Sequence, residues 1–311
     1  MKILNFGSLN IDHVYEVPYF LHPGETLSST KYSSYPGGKG LNQSIAMAKA
    51  GSRVYHAGKT GPDSEILIRA LQESGVDTTF LDTTGRVTGH AIIQVAPSGE
   101  NCILLHGGSN REISREHIDR VFTFLQADDI LVLQNEINNL QYIVSQAKEK
   151  HIPVAFNPSP IDDDLKNMDL SGITWLIMNE IEGAELSGSS DPEIMTKRLL
   201  EQYPDMKIIL TLGNQGAIYE DRLLRLKQPV FHAEVKDTTA AGDTFTGYFI
   251  SGIASGRSIK EAMEIASRAA AITVSRAGAS SSIPAREEIV PELGNNSPAM
   301  ENLYGGTEKH G

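Results

Sequence analysis

The chain has 311 residues, 40% of them hydrophobic, enough for one large α/β domain or two small ones; a single domain with an elaboration is the simpler reading. A formal net charge of −12 repels the polyanionic surfaces of nucleic acids and membranes, so neither is expected as a partner. The single cysteine, Cys102, excludes an internal disulfide and a multi-cysteine zinc cluster, and no apolar run is long enough to cross a bilayer.

The opening Met1-Lys2-Ile3-Leu4-Asn5-Phe6-Gly7 reads as a short buried strand over 3–6. It lacks the layout of a signal peptide, and the expected location is a reducing cytoplasm. Asn10 and Asp12 fall just past the strand, where open α/β sheets bind ligands; by itself N-x-D after a strand is usually a turn. The pattern from 12 to 35 is short and extended, broken by Pro18, Pro23 and Gly24. Gly37-Gly38-Lys39-Gly40 then opens a helix over 41–50, with Gly51 ending it. The glycine register does not complete G-x-G-x-x-G, and Gly58-Lys59-Thr60 lacks the first glycine of a phosphate loop because Arg53 stands there. Both nucleotide signatures are therefore rejected, which leaves a nicotinamide oxidoreductase as the least favoured reading.

A strand over 54–57 and a helix over 64–74 come next. Strands over 90–95 and 101–105, joined by a turn at 96–100, interrupt the alternation and predict a small sheet projecting from the main domain. Alternation resumes with a strand over 130–134 and Glu136 just beyond it, a helix over 140–150, and a strand over 153–156 running into Asn157. A strand over 175–178 exits at Asn179 and Glu182, and one over 206–211 leads to Gly213 and Gly216. Strands that are apolar throughout and alternate with helices predict a mostly parallel sheet covered on both faces. The expected domain spans 1–285, with lid segments near 12–36 and 88–107. Residues 286–311 mix Pro, Gly, Asn and charge without periodicity and are expected to form a poorly ordered tail.

The chemistry concentrates in Lys-Asp-Thr-Thr-Ala-Ala-Gly-Asp-Thr-Phe-Thr-Gly-Tyr, 236–248. Ala240, Ala241 and Gly242 suit a tight turn, and the spacing of Phe245, Tyr248, Phe249 and Ile253 predicts an amphipathic helix starting at Asp243. A helix start offers unpaired N–H groups and the positive end of the macrodipole, a site for phosphate. Asp243 could serve there as a base, with the amides of Ala241, Gly242 and Asp243 as an anion hole. Alone, it could equally be an N-cap.

This segment, together with Gly37-Gly38-Lys39-Gly40-Leu41-Asn42-Gln43, closely resembles the two signatures of the ribokinase family of sugar kinases, the phosphofructokinase-B type. The resemblance runs from about 3 to about 284. It implies a ribokinase-like α/β fold, with a mostly parallel central sheet flanked by helices and a small β lid that closes over the sugar and carries a homodimer contact. It also implies transfer of a phosphoryl group from ATP, with magnesium, to the 5-hydroxyl of D-ribose. Another sugar or a nucleoside is the alternative, and a non-catalytic sensor on the same fold is the reading of a different class.

On this resemblance, Asn10, Asp12, Gly38, Lys39, Asn42 and Glu136, with Asp243, would hold the sugar, a mixed donor and acceptor set suited to a polyol. Asn179, Glu182, Thr211, Gly213, Gly216, Gly242 and Ser267 would hold the nucleotide, Ser267 standing where several relatives carry His. Ala240, Ala241 and Gly242 would assist Asp243. Asp237 and the backbone near Thr239, with Thr273, Arg276, Gly278 and Ser282, match a loop for potassium. His90 and Gln94 are unusual polar residues on one face of a lid strand, with Ala91 and Ile93 facing the sugar opposite. The whole reading requires Asp243 and the turn at Lys39 to look into one cleft.

Overall fold

The computed structural model describes residues 1–289 and 300–303. In chain order it begins β1 (Ile3–Phe6), β2 (Asn10–Glu16), β3 (Lys31–Gly37), α1 (Lys39–Lys49), β4 (Val54–Lys59), α2 (Glu65–Glu73), β5 (Asp77–Asp82), β6 (Gly89–Val95) and β7 (Asn101–His106). It continues α3 (Arg115–Phe122), β8 (Ile130–Gln134), α4 (Leu140–Glu149), β9 (Val154–Asn157), α5 (Asp163–Lys166), β10 (Trp175–Asn179), α6 (Glu180–Ser187) and α7 (Pro192–Gln202). Last come β11 (Lys207–Thr211), β12 (Ala217–Glu220), β13 (Arg225–Gln228), α8 (Ala241–Ala254), α9 (Ile259–Val274) and β14 (Glu301–Asn302).

The main sheet runs β14-β13-β12-β11-β10-β9-β8-β1-β4-β5. Its strands are parallel from β11 to β5, and β12, β13 and β14 add an antiparallel edge. Successive side chains of a strand point to opposite faces, so Leu4, Leu131 and Phe156 enter one core with α3, α4 and α7, while Ile3, Val132 and Ala155 enter a second with α1, α8 and α9. Both faces are therefore covered, as the uniformly apolar strands predict. Residues 40–47 of α1 are buried on every side, the signature of a helix sandwiched between sheet and other helices. Among the described residues no helix is long and apolar enough to cross a membrane.

The second sheet, β3-β2-β6-β7, is the lid. Asn10 and Asp12 lie within β2, so this N-x-D is strand and not turn. On β6, Ala91 pairs with Asp12 and is buried, while the rings of His13, His90 and His106 adjoin one another. The edge strand β7 leaves Ile103, Leu104 and Leu105 exposed.

The tail reading covers 286–311, of which 290–299 and 304–311 lie outside the described residues. Within it Ile289 is buried, Glu288 pairs with Arg276, and β14 pairs with β13.

Candidate active site

Asn10 follows β1, Glu136 follows β8, and Asn157, Asn179 and Thr211 end β9, β10 and β11. All therefore sit at the carboxyl edge of neighbouring parallel strands, where an open sheet leaves a crevice. The N-terminus of α8 lies across this edge. A cavity of about 230 Å³ is lined by Lys39, Asn157, Asn179, Glu182, Thr211, Thr238, Ala240, Gly242, Asp243 and Thr246, so Asp243 and the turn at Lys39 share one cleft. A larger, mainly apolar cavity of about 500 Å³ adjoins it and shares Thr211, Thr238 and Gly242 with it.

α8 starts at Ala241, two residues before the position predicted from its apolar spacing, with Ala240 as N-cap at φ 61. This left-handed conformation costs a residue with a Cβ on the order of 1 kcal/mol and is retained where the surroundings demand it. Asp243 consequently lies inside the first turn and does not cap. Its carboxylate accepts from Asn42 Nδ2 at 3.0 Å and Gln43 Nε2 at 2.9 Å. The Ala241 N–H reaches the Thr238 carbonyl at 3.3 Å, so Gly242 and Asp243 supply the freer amides of the expected anion hole.

The glycine run packs the start of α1 against the end of β1. A Cβ on Gly40 would lie 2.3 Å from Ser8 N, and one on Gly37 would lie 2.0 Å from Asp12 Oδ2. At Gly38, whose φ is 94, a Cβ would lie 3.0 Å from Asn10 N. Glu136 accepts from the Lys39 N–H at 3.1 Å and from the Ser8 hydroxyl, and Asn110 fixes Asn10 by donating to its Oδ1 at 2.8 Å.

Burial, reinforced by Glu136, pushes the Asp12 carboxyl up to about 7. Burial also raises Glu136, against the charge of Lys39 and the Ser8 hydrogen bond. For Lys39, burial works against the charge, but the carboxylates of Asp243, Glu136 and Glu182 outweigh it and hold the ammonium above the usual lysine value. The cleft thus has one cation among carboxylates, a place where a second, phosphate-bearing ligand would have to bring counter-charge.

Asn179 and Glu182 form the capping box of α6: Asn179 Oδ1 accepts from the N–H groups of Ile181 and Glu182, and the Glu182 carboxylate accepts from Asn179 N and Nδ2. Cap and site coincide here, because both residues also face the cleft. Thr211, Gly213, Gly216 and Ser267 line the apolar cavity beside Val230, Phe231, Val235, Phe245 and Val274. Gly213 is open, whereas a Cβ on Gly216 would lie 2.1 Å from the Gln228 carbonyl, so Gly216 is required by the turn into β12.

The model of the pfkB family carbohydrate kinases matches residues 1–286. The chain belongs to this family. A ribokinase of Haemophilus influenzae is 35% identical over 92% of the chain and 96% of its own length. Among solved structures, a ribokinase of Cryptococcus neoformans in complex with ADP has a TM-score of 0.82 at 33% identity, covering 94% of this chain and 99% of that one. A ribokinase of Arabidopsis thaliana complexed with ribose and ATP has a TM-score of 0.84 at 26% identity, covering 95% and 99%. This carbohydrate kinase therefore carries out phosphoryl transfer from ATP to a hydroxyl group of a sugar.

In the kinase's expected cation loop, the Asp237 carboxylate ties two segments together, accepting from Thr239 N at 2.9 Å and Gly278 N at 3.0 Å. The other side chains point elsewhere. The Thr273 hydroxyl donates to Ala269 O and lies within hydrogen-bond distance of the Thr244 hydroxyl, the Ser282 hydroxyl donates to Ala279 O, and Arg276 pairs with Glu288. Backbone oxygens of this loop could join Asp237 around an ion.

Gln43, Thr238, Thr246 and Asn157 were given no site role in the sequence reading, nor was the apolar wall at 230–235. Gln43 and Asn157 could have been suspected, since a polar residue within an otherwise buried helix or at the end of an apolar strand needs a partner. Nothing local marks the wall, which becomes one only when 230–235 fold over α8 and α9.

Proposed function

We propose that this kinase is a ribokinase, transferring the γ-phosphoryl group of ATP to the 5-hydroxyl of D-ribose with Asp243 as base. The observation that carries this is that Asp243, held by Asn42 and Gln43, shares with Lys39, Asn179 and Glu182 a cavity that adjoins the apolar cavity at the first turn of α8. In this reading adenine and its ribose lie against Val230, Phe231 and Ser267, and the phosphates run past Gly213 and Thr211 to the amides of Gly242 and Asp243. Phosphoryl transfer needs in-line placement and stabilised charge more than strong basicity. A carboxylate held open by two neutral amides, as Asn42 and Gln43 hold Asp243, can take the hydroxyl proton as the new bond forms.

Magnesium bound with the nucleotide neutralises charge on the phosphates. Glu182 and Asn179 would meet it through its water shell, since the capping box already occupies the Glu182 oxygens. Potassium would sit between the segments joined by Asp237, held by that carboxylate and nearby carbonyls, and would stiffen the 238–242 turn. The exposed row Ile103-Leu104-Leu105 on an edge strand supports a homodimer formed through the lid. A reaction that consumes ATP fits a cytoplasmic setting.

The test is phosphotransfer from ATP to a panel of pentoses, hexoses and nucleosides, with phosphorus NMR of the product and with potassium present or absent. D-ribose 5-phosphate as the preferred product supports the proposal. Preference for another acceptor, or phosphate on another hydroxyl, contradicts it.

A further inference from the structure

A chain of neutral polar side chains, all at most 1% exposed, runs beneath the cleft to Asp243: His56, Ser44, Asn5, Gln134 and Gln43. Gln134, the last residue of β8, donates from Nε2 to Asn5 Oδ1 at 3.0 Å and to Gln43 Oε1 at 2.7 Å. Gln43 donates from Nε2 to Asp243 Oδ1 at 2.9 Å. Asn5 donates from Nδ2 to the Gly40 carbonyl at 2.7 Å and to Ser44 Oγ at 2.9 Å. Ser44 has its proton left for His56 Nδ1, at 2.8 Å.

The directions of these bonds enforce one another, because an amide has one donor end and one acceptor end. The Gly40 carbonyl can only accept, which turns the Asn5 NH₂ toward it and the Asn5 oxygen toward Gln134. Gln134 must then present its NH₂, which only the oxygen of Gln43 can receive. The Gln43 NH₂ is left facing Asp243. Reversing Gln134 would set oxygen against oxygen at Asn5 and free Gln43 to turn its own oxygen on the carboxylate.

The plain alternative, that Gln134 is a satisfied core residue, fits poorly. Its Oε1 is buried without a partner, an arrangement that costs stability, and it lines neither cavity. We propose that Gln134 is a positioning residue for phosphoryl transfer: through Gln43 it locks the donor that holds the Asp243 carboxylate toward the acceptor hydroxyl. The inference rests on Asp243 being the base.

The experiment compares Gln134→Met, which keeps the shape and removes the donor, with Gln43→Met, the double variant and Asp243→Asn. Melting curves and ATP binding serve as checks on folding. Gln134→Met is expected to lower kcat about 10-fold to 100-fold, with the KM values for sugar and ATP within about twofold. The double variant should be no slower than Gln43→Met, since both act through one bond. Gln134→Asn, which retracts the donor with less disturbance, should lower kcat in the same direction with KM values unchanged, and stands in if the methionine variant does not fold. Unchanged kcat in the folded Gln134 variants, a rise in KM in place of a fall in kcat, or additive losses in the double variant, would overturn the inference. If Asp243→Asn itself turns over normally, the base assignment fails first and takes this inference with it.

Discussion

Gly247→Ala should slow the enzyme more than it destabilises it. On α8, Gly247 faces α1, and a Cβ built there lies 2.4 Å from Ala46 Cβ and 2.9 Å from Met47 N. Carbon atoms rest comfortably at about 3.5–4.0 Å, so the two helices would have to separate by roughly 1 Å. α8 cannot yield freely on its other side, where Gly252 already lies against Ala262 of α9. Asp243 lies one turn before Gly247, as Asn42 and Gln43 lie about one turn before Ala46, and the bonds joining them are 3.0 and 2.9 Å. Opening this contact by about 1 Å takes those bonds past useful length, a misplacement worth about 100-fold in rate. The overpacking itself should cost about 1–3 kcal/mol, or a few degrees in Tm. Steady-state kinetics with ATP and ribose, beside a thermal melt, would show kcat falling about 10-fold to 100-fold in a folded protein. A folded Gly247→Ala variant with kcat within twofold of wild type would refute the idea that α1–α8 packing sets the position of the base.

Three further outcomes follow from the same structure. Asp12 has a folded value near 7 against 3.8 unfolded, so the folded state binds its proton more tightly and loses stability as pH rises from about 4 to about 7. Asp12→Asn should therefore gain Tm relative to wild type above pH 7 while its KM for sugar rises at least about 10-fold; a variant that gains no Tm at high pH would contradict this. His56 is shifted the other way, from 6.5 to about 4 by burial; the stability present above pH 6.5 is lost on acidification toward pH 4, on the order of 3 kcal/mol. Urea titrations should show that loss in wild type and a flatter profile in His56→Gln. Leu104→Glu, on the exposed edge strand, should give a monomer in sedimentation at micromolar concentration while the wild type sediments as the proposed dimer; an unchanged mass would remove the lid from the interface.

The parallel strands were legible because they are apolar on both faces: β8 was predicted at its observed bounds, and β1 likewise. The start of α8 was misplaced by two residues because the apolar spacing begins at Phe245, while Ala241 and Gly242 carry no apolar side chain that points inward. N-x-D at 10–12 looked like a turn because local propensity could not reveal β6, whose pairing makes that segment a strand. Asp243 and Lys39 were found by motif, yet the motif did not disclose what holds Asp243. Asn5 in β1, Gln43 and Ser44 in α1 and Gln134 in β8 are distant in sequence, and only the packed fold lines up their donors and acceptors. The cation loop shows the converse limit. The resemblance marked the loop positions as a carboxylate with carbonyl oxygens, but not that the side chains of Thr273, Arg276 and Ser282 are engaged by nearby helices and loops.

The most direct measurement is turnover of ATP and ribose by Asp243→Asn, with binding of each substrate measured on the same preparation. Loss of a positioned base should lower kcat by about 100-fold to 10,000-fold, while ribose and ATP still bind within several-fold of wild type. Turnover within tenfold of wild type would show that another group takes the proton.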